Sequence, residues 1–393
     1  IIKSITHHMK PITYQLKLLC LILAFSSLNK IHAQDVKTSL KFGNGFNVEN
    51  GDTSFSFNLA AMLQSRIDIN KVFDKDFKPT TQLQARRVRL KMKGSILHQK
   101  FDYNLQLSFS PSDVKAANIF LDGWVKYKPI KQFAIQIGQG KLPGDREEIV
   151  SAERQFFVDR STTNSLFKLD RDFGVQLFGN FGKKFIFKPR FSISSGEGKN
   201  YTAVDIEHFD YTVRLDFLPT GEFSHGGDLT FQDFDREAKP KVAFGVAYDF
   251  NNKPSMSRGQ LGGTAVNDTF RKNLHSVYAD AILKFKGFTT TGGYVFRKAQ
   301  DNTKYIAGQS FYATASYLFK KKVEIGARYN RSFAGKYGKE ANVNTVNEYA
   351  FGLAYYVFKN ALKFQTDYTL LQNKTKTNDQ LSGIWRFQMQ LAF

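Results

Sequence analysis

The feature that most constrains this chain is a two-residue alternation of apolar and polar side chains that recurs from residue 54 onward. In the first such segment Phe55 and Phe57 share one face, and Ser56 lies on the other. A period of two is typical of a β-strand with one apolar and one polar face. The same region contains no amphipathic helical pattern of comparable strength. The alternation therefore predicts an all-β protein.

Sixteen segments carry the alternation, and each is predicted to be a strand. They are residues 54–70, 81–97, 101–110, 118–128, 132–138, 173–181, 185–194, 209–218, 241–250, 273–285, 288–298, 309–319, 322–331, 347–358, 361–371 and 382–393. Their connections alternate between short turns and long polar loops, which is typical of an outer-membrane barrel. Residues 54–393 are therefore predicted to form a transmembrane antiparallel β-barrel of about sixteen strands, with short periplasmic turns and long extracellular loops.

The alternative is a soluble β-protein with buried strands. The chain contains 39 Phe and 17 Tyr, and a soluble fold would need a large second layer to cover sixteen faces rich in these residues. No helices are available for that layer, whereas barrel closure removes every free strand edge. The mean hydropathy of −0.37 excludes a polytopic helical membrane protein but not a barrel, whose strands are only half apolar. The membrane barrel is therefore the preferred interpretation.

The start of the chain differs from the rest because it carries a short apolar segment at 16–28. Counted from Met9, the more natural start, this segment follows basic residues and is too short to span a membrane. Such a pattern is typical of a secretory signal peptide, which is predicted at 1–33. Export would leave 34–53 as an N-terminal periplasmic segment. It would also remove Cys20, the single cysteine, so no disulfide or thiol chemistry is predicted.

The formal net charge of +21 requires an acidic partner. Export argues against nucleic acid, and the chain has no recognition-helix or zinc-finger spacing. The predicted partners are small anions, such as phosphate, in the lumen, and lipid and lipopolysaccharide around the barrel.

The most informative charged pattern lies on one strand, where cations alternate with apolar residues. The cations Arg87, Arg89, Lys91 and Lys93 are predicted to face the lumen and are called the cation ladder below. Same-face residues recur about every 6.6 to 7 Å, so an anion would meet successive, overlapping binding positions. Low-dielectric walls focus the field of such a row. Arg66, on an inward register of the preceding strand, joins this predicted pathway. The alternative is a structural lining whose cations pair with inward acids.

The longest connection, 139–172, far exceeds the usual loop length of about 4–6 residues. Its cations proposed for a constriction are Lys141, Arg146, Arg154 and Arg160. Acids nearly balance these cations, and several apolar residues argue against a floppy external loop. The loop is predicted either to fold inward and narrow the pore or to form a packed external cap. The connection 219–240 should be short and is not, so it could hold a missed hairpin.

Four short segments form a moderately specific set of motifs. They are Ala-Arg-Arg-Val-Arg-Leu at 85–90, Gly-Gln-Gly-Lys-Leu-Pro at 138–143 with Glu148 after it, Arg-Asp-Phe-Gly-Val-Gln-Leu at 171–177, and Glu-Ile-Gly-Ala-Arg-Tyr at 324–329. Together they resemble the phosphate-selective porin O and P family of Gram-negative outer membranes. The resemblance implies a sixteen-stranded trimeric porin with its third long loop folded into the lumen beside a basic path. Arg87 and Arg89 match the family's double-arginine strand, whereas the charge-balanced long loop departs from the arginine-rich loop of its best-studied members.

No enzyme motif or metal-ligand spacing is present. HExxH, GxSxG and P-loop patterns are absent, and the histidines after residue 33 are isolated in sequence. No catalytic residue, metal or cofactor is predicted. The predicted function is passive diffusion of small anions, with phosphate or polyphosphate as candidates. A general diffusion porin is the alternative within transport. A barrel hydrolase using His275 with Ser276, or His208 with Asp210, and a surface adhesin are the alternatives from other classes.

Overall fold

The computed structural model describes residues 36–73, 78–111, 113, 118–201, 208–300, 304–333, 345–374 and 379–393. The predicted signal peptide, 1–33, lies outside the described residues. Eighteen strands occur in the described part of the chain. They are β1 Val36–Lys41, β2 Gly45–Asn50, β3 Phe55–Val72, β4 Thr80–Ile96, β5 Phe101–Ser108, β6 Phe120–Ile130, β7 Phe133–Lys141, β8 Arg171–Gly179, β9 Ile186–Ser194, β10 Asp210–Leu218, β11 Lys241–Asn251, β12 Leu274–Phe285, β13 Phe288–Ala299, β14 Gly308–Phe319, β15 Val323–Phe333, β16 Thr345–Phe358, β17 Leu362–Lys374 and β18 Asp379–Ala392.

Strands β3 to β18 form a closed barrel. Each pairs antiparallel with its neighbour in sequence, and β18 pairs with β3 from Ser382 opposite Val72 to Ala392 opposite Met62. The predicted sixteen-stranded antiparallel barrel is therefore confirmed. Its strands follow one another around the ring in sequence order because each connection leads to the adjacent strand.

Strands β1 and β2 form an additional hairpin outside the ring of sixteen. β2 pairs with β3 from Phe46 opposite Leu59 to Glu49 opposite Ser56, beyond the point where β18 ends. The hairpin thus covers an edge of β3 that would otherwise be unpaired. It falls within 34–53, for which the sequence pattern predicted no strand.

The strands present large apolar side chains to the outside and polar or small ones to the interior. On β16, Tyr349, Phe351 and Leu353 are exposed, whereas Ala350 and Ala354 are buried. Aromatic and aliphatic side chains on the outside of a closed barrel are suited to contact with lipid. The alternation found in the sequence is thus the alternation between lipid and lumen.

Helices are few and short. The connection between β7 and β8 contains α1, Arg146–Ile149, the 3₁₀ turn Ala152–Arg154, and α2, Thr162–Phe167; three further 3₁₀ segments are Ser224–Leu229, Gly259–Leu261 and Asp268–Phe270. Asp145 caps α1 by accepting from the Glu147 N–H, and Ser161 caps α2 by accepting from the Asn164 N–H. No helix in the described ranges combines the length and the hydropathy needed to cross a membrane.

A hydrophobic core lies inside the barrel. It joins side chains of the β7–β8 and β10–β11 connections to the inward faces of the later strands. Its members are Val150, Phe156, Phe157, Ile186, Leu218, Phe223, Phe231, Phe234, Ala243, Ile282, Leu318, Ala350, Ala354 and Tyr356. The connection 219–240 holds no hairpin: it contributes a 3₁₀ turn and three phenylalanines to this core.

Candidate anion pathway

The connection between β7 and β8 packs inside the barrel and is anchored by a buried charge cluster. Arg146 donates through Nε to Asp280 Oδ1 on β12 and through Nη2 to Asp216 Oδ1 on β10, both at 2.8 Å. Arg214 binds the same two carboxylates at 2.7 Å and also donates to the Gly144 carbonyl at 2.6 Å. These four side chains, Arg146, Arg214, Asp216 and Asp280, are called the anchor cluster below.

Inward side chains of β17 hold the same connection by its backbone. The Lys363 ammonium donates to the Gln155 carbonyl at 2.8 Å, and the Val158 N–H donates to Asp367 at 2.9 Å. Because the backbone groups bind strand side chains, the connection satisfies its buried polar atoms without forming secondary structure along this stretch. The connection therefore lies along the wall made by β10 to β18.

A second segment, 219–240, also packs inside the barrel. The N–H of Gly287, in the tight turn between β12 and β13, donates to Asp233 at 2.7 Å, so this segment lies near the short-turn rim. Its Phe231 N–H donates to the carbonyl of Arg154 at 3.2 Å, which joins the two inserted segments. The two inserts together fill one side of the lumen.

Open space remains along the opposite wall, β4 to β9. Two cavities of about 390 and 250 Å³ lie there, and both are lined by Arg89 and Lys91. The larger continues past Lys93 to the β16–β17 turn, and the smaller is lined by Lys126 and Arg190. The described cavities of the lumen are therefore bordered by cations from several strands.

The cation ladder divides into a paired half and an unpaired half. Arg89 binds Asp113 in a bidentate geometry at 2.6 and 2.7 Å, and Arg87 lies 3.9 Å from the same carboxylate. Burial alone would raise the pKa of Asp113, but the Arg89 guanidinium holds this pKa well below its usual range. Lys91 and Lys93 make no ion pair with any described residue.

Four arginines lie around Asp159, a carboxylate of the β7–β8 connection. The distances from this carboxylate are 2.7 Å to Arg66, 3.8 Å to Arg386, and 4.0 Å to both Arg86 and Arg87. Burial would raise the pKa of Asp159, but these guanidinium groups hold it well below its usual range. The forks of Arg66 and Arg89 are therefore occupied by carboxylates of the protein itself.

Two of the four candidate constriction cations, Lys141 and Arg160, are neutralised by the buried carboxylate of Glu148. Its ion-pair distances are 3.3 Å to Arg160, 3.6 Å to Lys168, 3.7 Å to Lys141 and 4.0 Å to Arg171. Burial would raise its pKa, but the surrounding cations hold the pKa of Glu148 to about 2. Arg146 belongs to the anchor cluster, and Arg154 keeps a half-exposed side chain, 4.0 Å from Glu153.

Two further cations, Lys126 on β6 and Arg190 on β9, stand over aromatic rings in the smaller cavity. The Lys126 ammonium lies 4.0 Å from the centre of the Phe178 ring and 4.9 Å from that of Trp124, and Arg190 lies 5.8 Å from Phe178. Neither cation pairs with a described carboxylate. The two-residue alternation along β6 and β9 is consistent with these inward positions, but alternation alone does not distinguish Lys126 and Arg190 from inward cations that are paired.

His275 and Ser276, considered for a hydrolase, are not brought together. His275 accepts or donates a hydrogen bond with the exposed Tyr248 hydroxyl at 2.8 Å, on the outer face. Ser276 is buried and binds Arg297 on the inner face. The two side chains therefore point to opposite sides of the barrel wall, as expected for neighbours on a strand.

The chain is similar to known porins in sequence and in fold. Residues 57–202 match the family model described as "Phosphate-selective porin O and P". An uncharacterized protein of Aquifex aeolicus (strain VF5) is 23% identical over 384 residues, covering 84% of this chain and 86% of that protein.

Two solved outer-membrane proteins share the fold. The outer membrane channel DcaP of Acinetobacter baumannii is 11% identical with a TM-score of 0.57, covering 89% of this chain and 100% of that chain. An anion-selective porin from Comamonas acidovorans is 11% identical with a TM-score of 0.56, covering 86% of this chain and 100% of that chain.

The closed barrel, with its apolar exterior and polar lumen, has the architecture of the outer-membrane porins to which this chain is similar. Within that class, the family match confirms the resemblance to the phosphate-selective porin O and P family that the motifs indicated.

Proposed function

We propose that this porin passes small anions by diffusion along the lumen wall formed by β4 to β9. The observation that carries the proposal is the set of cations on this wall without a described ion-pair partner: Lys91, Lys93, Lys126 and Arg190. A cavity with low-dielectric walls concentrates counter-ions near such charges and repels ions of the same sign. Their spacing along the wall gives an anion several weak positions instead of one deep trap, which conduction requires.

The same arrangement favours small anions in general over tight capture of phosphate. A planar guanidinium fork is the group that binds oxyanions by two parallel hydrogen bonds. The fork of Arg89 instead binds Asp113, and Arg66 binds Asp68 and Asp159. Phosphate and polyphosphate are proposed as permeant anions that pass the lysines, with Arg87, Arg89 and Arg66 shaping the wall.

Three further features belong to the proposal and are supported by sequence or resemblance. Residues 1–33 would be removed as a signal peptide during export. The exposed aromatic residues would contact lipid and lipopolysaccharide. The resemblance to the porin family supports a homotrimer.

The test is the reversal potential of single channels in a planar bilayer under a salt gradient. In water, two unit charges at about 4 Å interact by about 1 kcal/mol, so loss of two lining lysines should reduce anion preference severalfold. We therefore expect Lys91→Gln/Lys93→Gln to lower the anion-to-cation permeability ratio, and the difference from wild type to shrink as salt is raised.

Two double variants serve as matched controls. Lys320→Gln/Lys321→Gln removes the same charge from an exposed turn between β14 and β15 and should leave the permeability ratio unchanged. Arg87→Gln/Arg89→Gln should change the ratio less than the lysine pair does, because Asp113 already neutralises these arginines. A wild-type channel without anion preference would reject the proposal in favour of a general diffusion porin.

A further inference from the structure

Two buried aspartates lie together at the long-loop end of the barrel wall. Asp210 begins β10, and Asp249 lies near the end of the adjacent strand β11. The hydroxyl of Thr212 is 3.2 Å from Asp210 Oδ2 and 3.4 Å from Asp249 Oδ1, so it contacts both carboxylates. Both aspartates have no exposed surface. Two buried carboxylates side by side are costly unless something compensates their charge.

Described neighbours give these carboxylates neutral donors, such as the Ser194 hydroxyl 3.1 Å from Asp210 Oδ2, but no directly paired positive charge. Neither aspartate forms an ion pair with a described residue. The guanidinium of Arg297 interacts electrostatically with Asp249, but its Nε and Nη2 donate hydrogen bonds to Ser276, Tyr278 and the Phe167 carbonyl. A third carboxylate, Asp172 on β8, adds to the negative charge around Asp210.

Four buried acceptor oxygens at this place have no hydrogen-bond partner among the described residues. They are Asp210 Oδ1, Asp249 Oδ2, Asn251 Oδ1 and Gln260 Oε1. Asn251 and Gln260 are at most 3% exposed. Buried polar atoms normally have partners, so four acceptors without a protein donor form a set of oxygens that a cation could satisfy.

The orientation of the two amides is fixed by their other contacts. Asn251 Nδ2 donates to the Gly196 carbonyl at 2.8 Å, and Gln260 Nε2 donates to Asp249 Oδ1 at 3.1 Å. Reversing either amide would place an oxygen against another acceptor. Gln260 contacts Asp249, and Asn251 lies opposite Asp210 in the β10–β11 register, so both amides lie beside the carboxylates.

We propose that Asp210, Asp249, Asn251 and Gln260 bind a divalent cation, with Ca²⁺ as the ion that fits best. Oxygen-only donor sets with carboxylates and amide carbonyls are those that Ca²⁺ prefers, whereas Mg²⁺ keeps more of its water. No cluster of three or more His, Cys, Asp or Glu side chains suited to a metal occurs in the described part of the chain, so neutral oxygens must complete the set. With two charged ligands, the affinity should be that of extracellular calcium modules, about 0.1 to 1 mM.

The cation would fasten loops at the outer mouth. Gln260 belongs to the 252–273 connection, while Asn251 ends β11 and donates to the carbonyl of Gly196 in the connection that follows β9. An ion bound by these groups joins two long loops to the wall at β10 and β11. This role is independent of the proposed anion pathway, which lies along other residues.

The test uses the full mature chain refolded in detergent without lipopolysaccharide, because lipopolysaccharide itself binds divalent ions. Calorimetric titration with CaCl₂ should detect one site per chain, and thermal unfolding should shift upward by several degrees at millimolar Ca²⁺. MgCl₂ should give a smaller shift. Asp210→Asn/Asp249→Asn should abolish both the heat and the shift.

The matched control is Asp268→Asn, which removes an exposed carboxylate from the same connection and should keep the wild-type response to Ca²⁺. In the presence of a chelator, Asp249→Asn should be at least as stable as wild type, since it removes repulsion between the aspartates. The order should reverse in Ca²⁺. If the charge variants do not fold, Gln260→Ala removes one neutral ligand and should weaken Ca²⁺ binding severalfold.

Two results would overturn the proposal. One is a calcium response that persists unchanged in the double variant or, where that variant does not fold, in Gln260→Ala. The other is a wild-type protein that ignores Ca²⁺ but loses stability as pH rises, which would mean that the aspartates share a proton instead of a metal ion.

Discussion

The two sides of the barrel interior are built from the same alternating strands but differ in what their inward residues contact. Along β10 to β18, inward groups bind two inserted segments, and the anchor cluster and the phenylalanines are buried. Along β4 to β9, Lys91, Lys93 and Lys126 face open cavities. One wall is therefore packed like a protein core, whereas the other borders open cavities.

The comparison shows that an inward charge has two different roles. A charge that meets a carboxylate of an inserted segment holds that segment in place, and a charge that meets only solvent contributes to the field in the pore. Substitutions at charges of the two kinds test this difference.

The largest effect is expected at the anchor cluster. Arg146→Ala leaves Asp216 and Asp280 with Arg214 alone, and breaking a buried pair in this way costs about 3 to 5 kcal/mol of unfolding free energy. Loosening of the inserted loop should also raise single-channel conductance. Urea unfolding and bilayer conductance measure the two effects. Arg154→Ala, on a half-exposed side chain of the same connection, should change stability by no more than about 0.5 kcal/mol.

A somewhat smaller loss of unfolding free energy is expected on substitution of Glu148, and the size of this loss depends on pH. Since the folded pKa of about 2 lies below the ordinary 4.5, the carboxylate stabilises the fold above about pH 4.5 and loses this effect as pH falls toward 2. Glu148→Gln should cost about 3 kcal/mol at neutral pH and nothing near pH 2. Unfolding midpoints between pH 7 and 2.5 test this convergence. Glu222→Gln, at an exposed carboxylate, should follow the wild-type curve.

The smallest change in stability is expected at Asp159. Its substitution should also change anion selectivity, in the direction opposite to that of the lysine variants. Asp159→Asn removes the carboxylate that Arg66 and Arg386 approach, at a cost of roughly 1 to 3 kcal/mol. The uncovered arginines should increase anion preference in reversal-potential measurements. An unchanged permeability ratio in a folded channel would mean that these arginines do not contribute to the pore field.

The barrel could be predicted from sequence because alternation is a local property that each strand repeats. All sixteen predicted strands occur, in order. The β1–β2 hairpin was missed because its strands are only six residues each and lack a clear apolar face. The inward packing of 219–240 was missed because Phe223, Phe231 and Phe234 follow no period.

Ion-pair partners could not be predicted because they depend on register and on where the inserted loop lies. Arg86 is an example: simple alternation places it outward, opposite to Arg87. A bulge where Gln64 pairs with Arg87 and Ser65 with Ala85 brings Arg86 within 4.0 Å of Asp159. The inward positions of the cation ladder could be predicted from the sequence, but the members that are paired with carboxylates could not.

The seam between β3 and β18 has a consequence for how the barrel forms. The hydrogen bond of 2.7 Å between Gln64 Nε2 and Gln390 Oε1 joins residues 326 positions apart. Contacts of such long range carry a loop-closure entropy that must be overcome before they stabilise anything, so folding should be slow. Until β18 reaches β3, both strands keep a free edge that can pair with other chains. Aggregation during refolding should therefore depend on protein concentration, and it should stop once the seam has closed.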